Sequence, residues 1–105
     1  MTAEQLETCL KGGSAPIILD VRTGIEYRSG HIPGAVHAPL ATVLKAAERL
    51  SPGKESQMML VCEHGPRAQM AKMFLKFRGY KNLDLLEGHM ARWRSAGRSL
   101  HFEAE

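Results

Sequence analysis

Cysteine is scarce in this chain: its 105 residues include two, Cys9 and Cys62. Two are too few for a disulfide framework, and a reducing cytoplasm is the expected home. The histidines at 31, 37, 64, 89 and 101 show no ligand spacing with paired cysteines, so no metal site is expected. Aromatic residues are few, with one Trp, and no stacking series accompanies the basic cluster Arg92, Arg94 and Arg98. Those three read as a solvated helix face, and nucleic acid is not an expected partner. No apolar run approaches a membrane span, and the first ten residues lack both a basic n-region and an apolar h-region, so neither a membrane nor a signal peptide is expected. Repeats, linkers and low-complexity segments are also missing. What is present is ordinary for a globular protein: 44% apolar residues, 24% charged and a net charge of +3. That suits one domain over residues 1–105, with one core.

The chain alternates strand and helix signals. Thr2 with Gln5 fits a capping box for a helix over 3–10, stopped by Lys11 and Gly12-Gly13. Cys9 falls in that helix, is expected to pack inward and is given no role. Ile17-Ile18-Leu19-Asp20-Val21 is a nearly continuous apolar run that suits a strand buried on both faces of a parallel sheet. A short helical turn over 24–28, a tight turn at His31-Ile32-Pro33-Gly34-Ala35 and a short strand at 36–38 follow. A helix over 41–50 leads to the apolar run Met58-Met59-Leu60-Val61. After it come a helix over 68–78 capped by Gly79, a strand at 83–86 and a last helix over 89–96 carrying Trp93. Residues 98–105 have no clear period and are expected to be loose. The order implies an α/β domain with a mostly parallel sheet of about four to five strands flanked by helices.

The chain is organised around Leu60-Val61-Cys62-Glu63-His64-Gly65-Pro66-Arg67-Ala68. A buried strand ends, four residues turn, and a helix begins at once, with Pro66 suited to its first position. Behind it, Met70, Met73, Phe74 and Phe77 are spaced as the buried face of that helix. Cys62 is thereby placed in a bowl of backbone N–H groups at a helix N-terminus, which favours negative charge. In parallel sheets ligands bind beyond the carboxyl ends of the strands, where Asp20, Arg22 and Cys62 all fall. On the Cys, its loop, Arg67 and the helix alone, a small buried hydrophobe and a nucleophile are equally good readings of Cys62.

Four stretches in order resemble a single-domain rhodanese, a sulfurtransferase: Leu19-Asp20-Val21-Arg22 with Glu26-Tyr27; Gly30-His31-Ile32-Pro33-Gly34-Ala35; Val61-Cys62 through Arg67-Ala68; and Leu86-Glu87-Gly88-His89-Met90-Ala91-Arg92-Trp93. The resemblance implies a three-layer rhodanese-like fold and a Cys62 persulfide. Sulfur would pass from a donor such as thiosulfate to cyanide or a thiol in a ping-pong cycle, with no cofactor. A protein sulfur donor or acceptor is compatible with it. Glu63, His64, Gly65, Pro66 and Arg67 become the substrate loop, with Arg67 facing the donor or pairing with Asp20. Asp20, Arg22 and Glu26 become ion-pair support behind it, His31 a structural turn residue and Trp93 core.

Glu63 departs from the family's pattern, in which many members carry a basic residue after the Cys. A negative charge there is expected to weaken capture of thiosulfate, and Glu63→Lys to lower the Michaelis constant. Pro66 removes one N–H from the bowl. His64 is either a partial remedy for Glu63 when protonated or an exposed bystander. A phosphatase or arsenate reductase of related fold is disfavoured, because only four residues separate Cys62 from Arg67, where phosphate-handling relatives use five. A sulfur carrier or a non-catalytic binding module is the remaining alternative.

Overall fold

The computed structural model describes residues 1–102. The elements run α1 (Ala3–Gly12), β1 (Ile17–Asp20), α2 (Gly24–Arg28), β2 (Val36–His37), a 3-10 turn (Leu40–Thr42), α3 (Val43–Leu50), β3 (Met58–Val61), α4 (Pro66–Phe77), β4 (Leu83–Leu85) and α5 (His89–Ser95). The strands form one four-stranded sheet in the order β2-β1-β3-β4, and every pairing is parallel. The α/β architecture expected from the alternating signals is therefore present.

The central strands are apolar on both faces because both faces are covered. Leu19, Val21, Met58, Leu60 and Cys62 pack with residues of α3 and α4, including Ala46, Ala47, Ala68, Ala71 and Leu75. Ile18, Met59 and Val61 alternate to the other face and meet Leu6, Tyr27, Met90 and Trp93. The result is three layers with the sheet in the middle.

Register sets the site. Asp20 pairs with Val61 and with His37, so the carboxyl ends of β1, β2 and β3 lie level. Arg22 and Cys62 follow immediately past that edge. Thr2 closes α1 with its capping box, and Gly13 ends it in the left-handed conformation (φ 74°) two residues later than expected.

Several expectations need correction. The buried face of α4 is Ala68, Ala71 and Leu75; Met70, Met73, Phe74 and Phe77 point outward, Phe77 being 90% exposed. Alanines let the helix approach the sheet closely enough to bring its first turn onto Cys62, and larger side chains would hold it off. Cys9 is only half-buried. The first part of the segment expected to be loose is hydrogen-bonded as far as His101. His101 exchanges backbone hydrogen bonds with His31 (2.8 and 2.9 Å), and Trp93 Nε1 donates to Ser99 O. Residues 103–105 lie outside the described residues. Arg92 and Arg94 are exposed, as expected of a solvated face, whereas Arg98 lies past the end of α5 and is partly buried; Arg94 and Arg98 also form ion pairs, with Glu63 and Glu7.

Candidate active site

Cys62 is fully buried at the end of β3, and its Sγ accepts two backbone N–H groups, from Gly65 (3.0 Å) and Ala68 (3.4 Å). The loop can close this tightly because Gly65 takes φ 129°, open to glycine and strained for other residues, and because Pro66 starts α4 without needing an N–H partner. The two N–H groups belong to the entry and first turn of a twelve-residue helix, so their dipoles add to its positive end. Negative charge on the sulfur is stabilised by that arrangement. The rest of the Cys62 backbone is also held: its C=O accepts from Met90 N–H (3.0 Å), and the next carbonyl, Glu63, accepts from Ala91 (3.1 Å).

Arg67 does not pair with Asp20. It forms a bidentate pair with Glu26 (2.6 and 3.0 Å), both side chains about one-third exposed. This pair holds the Glu26 carboxyl far below its ordinary range, at about 2, despite the opposing effect of burial. Glu26 also caps α2 by accepting from Thr23, so Arg67 ties the first turn of α4 to the first turn of α2.

Asp20 pairs instead with Arg22, wholly buried: Nε donates to Oδ1 (2.9 Å), Nη2 to Oδ2 (2.8 Å), and the Arg22 N–H to Oδ1 (3.1 Å). Arg22 Nη2 also donates to Gly30 O (2.9 Å), which fixes the turn carrying His31. His31 hydrogen-bonds Tyr27 O through Nδ1 and stacks on the Tyr27 ring at 3.7 Å. The expected support set therefore splits in two, with Asp20 and Arg22 together and Glu26 given to Arg67.

Glu63 is compensated rather than free. Arg94 binds it bidentately (2.8 and 3.1 Å) and Arg22 Nη1 lies 3.5 Å from it. Arg94 first, then Arg22 and His64, hold its carboxyl below the usual range. Glu63 is thus an ion-paired carboxylate rather than an isolated charge beside the loop, and a lysine there would face Arg94 and Arg22. His64 and Pro66 are exposed on the outer side of the loop.

One residue of the site was missed by the sequence reading. His89, at the start of α5, is 7% exposed and accepts the Cys62 N–H on Nδ1 (3.2 Å). Its only sequence signal was its place in the turn after Glu87-Gly88. No group of three or more His, Cys, Asp or Glu able to hold a metal occurs among the described residues.

The Rhodanese-like domain family matches residues 2–96. This chain belongs to that family. The rhodanese-like chain is 40% identical over 76 residues to YrkF of Bacillus subtilis, named as a candidate sulfur carrier, covering 72% of this chain and 40% of YrkF. It is 30% identical to the thiosulfate sulfurtransferase GlpE of Pseudomonas entomophila, covering 75% of this chain and 71% of GlpE. Among solved structures, the Alr3790 protein from Anabaena sp. superposes with a TM-score of 0.88 at 25% identity, over 100% of this chain and 94% of that one. The first of these relatives is much longer, and this rhodanese-like chain spans two-fifths of its length. Sulfur carriage is in the name of YrkF and sulfur transfer in that of GlpE.

Proposed function

We propose that this rhodanese-like protein is a sulfurtransferase that carries a sulfane sulfur on Cys62. The observation that supports it is the Cys62 sulfur held by the Gly65 and Ala68 N–H groups inside a loop of four residues. The bowl suits one sulfur atom on the cysteine and is tight for a tetrahedral oxyanion. In the first half-reaction the Cys62 thiolate attacks the outer sulfur of thiosulfate. An S–S bond forms to Cys62, the donor's S–S bond breaks, and its electron pair leaves with sulfite. In the second, cyanide or a thiolate takes the outer sulfur and the electron pair returns to Cys62 Sγ. No net oxidation occurs and no cofactor is required. The two N–H groups meet negative sulfur in both halves, as an oxyanion hole meets oxygen.

Because Cys62 is buried, a donor approaches over the exposed loop residues His64 and Pro66. Arg67, occupied by Glu26, is a loop fastener, and Asp20 with Arg22 supports the strand edge behind it. The free thiol suits a reducing cytoplasm. A sulfur-carrier reading is favoured by the likeness to YrkF; the protein would then receive or deliver the sulfur through a protein partner.

Intact mass before and after thiosulfate tests the proposal. The parent should gain one sulfur atom, lose it again to cyanide, and Cys62→Ser should gain none while unfolding within about 1 kcal/mol of the parent. A persulfide that loads readily but turns over slowly with cyanide would point to the carrier. No loading, from thiosulfate or from a cysteine-desulfurase persulfide, would end the enzymatic reading.

A further inference from the structure

His89 occupies a backbone conformation that few side chains adopt. Its φ is +50°, directly after Gly88 at +77°, and Lys54 is the one other non-glycine residue with positive φ among the described residues. A Cβ in that region is crowded by the following carbonyl, and such strain persists where the surroundings over-determine it. Here the conformation turns the imidazole onto the Cys62 loop. Nδ1 accepts the Cys62 N–H at 3.2 Å. The other edge of the ring covers Gly65, where an added Cβ would lie 3.3 Å from Nε2 and 3.4 Å from Cδ2. The ring thus reaches from the nucleophile's own amide to the glycine whose N–H holds its sulfur.

Accepting a hydrogen bond dictates the protonation state. Nδ1 must carry its lone pair, which leaves the proton of the neutral ring on Nε2. Protonation of Nδ1 would set two N–H groups against each other. Burial, and after it the charge of His64, hold His89 below the ordinary imidazole value of 6.5. The titratable groups facing it from the loop are Cys62 and His64, while Glu63 of that loop is engaged by Arg94 and Arg22. Glu87 precedes it, and Arg92 and Arg94 follow on its own helix.

We infer that His89 is a positioning residue for Cys62: its neutral ring, with the lone pair on Nδ1, fixes the Cys62 amide and backs Gly65 so that the loop's N–H groups stay aimed at the sulfur. The consequence for catalysis rests on the sulfur-transfer reading; the state of the ring does not.

Two measurements test it. Long-range 1H–15N correlation spectra of the parent should show Nδ1 unprotonated and Nε2 protonated at pH 7.5. The Cys62 amide resonance should move together with the His89 ring as the pH falls below 6.5. A proton on Nδ1, or a Cys62 amide indifferent to the ring, overturns the inference without any sulfur donor being added. The second measurement is the rate of sulfur loading from thiosulfate, by mass. His89→Ala should load roughly 10-fold more slowly at pH 7.5 through loss of the hydrogen bond. His89→Asn should stay within roughly 3-fold of the parent, because its amide oxygen can replace Nδ1 and Asn tolerates the left-handed region. Asn does not titrate, so the ratio of parent to His89→Asn rates should be level above pH 6.5 and fall below it. A His89→Ala rate equal to the parent's, an Asn variant as slow as Ala, or a ratio that stays level or rises on acidification overturns the inference. A parent that takes up no sulfur instead overturns the sulfur-transfer reading, and the spectra then judge His89 alone.

Discussion

Two arginine–carboxylate pairs flank the Cys62 loop, and they are built on different terms. Asp20 and Arg22 are two residues apart, 0% and 2% exposed, and satisfied by each other and by Gly30 O. Glu26 and Arg67 are forty-one residues apart and each about one-third exposed. In the first pair neither charge can fall back on water, so each is indispensable to the other. In the second, water can replace either partner at small cost. The buried pair therefore serves the fold's stability, and the exposed pair serves the position of one helix relative to another.

Breaking the buried pair should give the largest effect. Asp20→Asn leaves the buried Arg22 charge with only the more distant Glu63 carboxylate, 3.5 Å away, and should cost about 3 kcal/mol in urea unfolding. A loss under about 1 kcal/mol would erase the distinction between the pairs.

Glu26→Gln should cost less, about 1 kcal/mol, because solvent screens the pair. Its signature is in the pH dependence. The Glu26 carboxyl is lowered from 4.5 to about 2, so between those values the unfolded chain binds the extra proton. Its contribution is complete above pH 4.5 and is lost as pH falls from 4.5 toward 2. The stability difference between parent and Glu26→Gln should shrink across that window. A difference that stays constant there would mean that Arg67 does not hold Glu26 ionised.

The smallest effect belongs to Arg94→Ala, which sharpens the comparison by removing an arginine more exposed than Arg67, at 46%. Stability should change by about 0.5 kcal/mol or less. The function should respond as well as the fold: with Arg94 gone, Glu63 keeps Arg22 and His64, and its charge beside the loop should raise the Michaelis constant for thiosulfate by roughly 2-fold. Unchanged steady-state kinetics would show that the Glu63 charge does not reach the donor.

Legibility in the sequence followed the range of the interaction. The strands at Ile17–Asp20 and Met58–Val61 were visible because continuous apolar runs have few other uses in a chain this size. The Cys62 turn was visible because Gly65-Pro66 specifies both the bend and the helix start. The partner of Arg67 was not, since nothing local selects Glu26 over Asp20 as its carboxylate. The face of α4 was misread because hydrophobic weight in that helix lies with Met70, Met73, Phe74 and Phe77, while close packing selected the small residues Ala68 and Ala71. His89 escaped notice because its importance depends on a left-handed backbone angle that sequence pattern does not reveal for histidine.

The hydrogen bonds that His89 and Met90 make to the Cys62 backbone have to wait for residues made after the cysteine. Both partners lie more than twenty-five residues downstream of the cysteine, and they arrive after α4 and β4 have been made. A ribosome therefore releases the thiol long before it releases the residues that fasten the loop around it. Until α5 emerges, the Cys62 sulfur can have its Gly65 and Ala68 N–H partners, but its backbone lacks these two fastenings. The loop's backbone is therefore fully fastened only once α5 has followed it out.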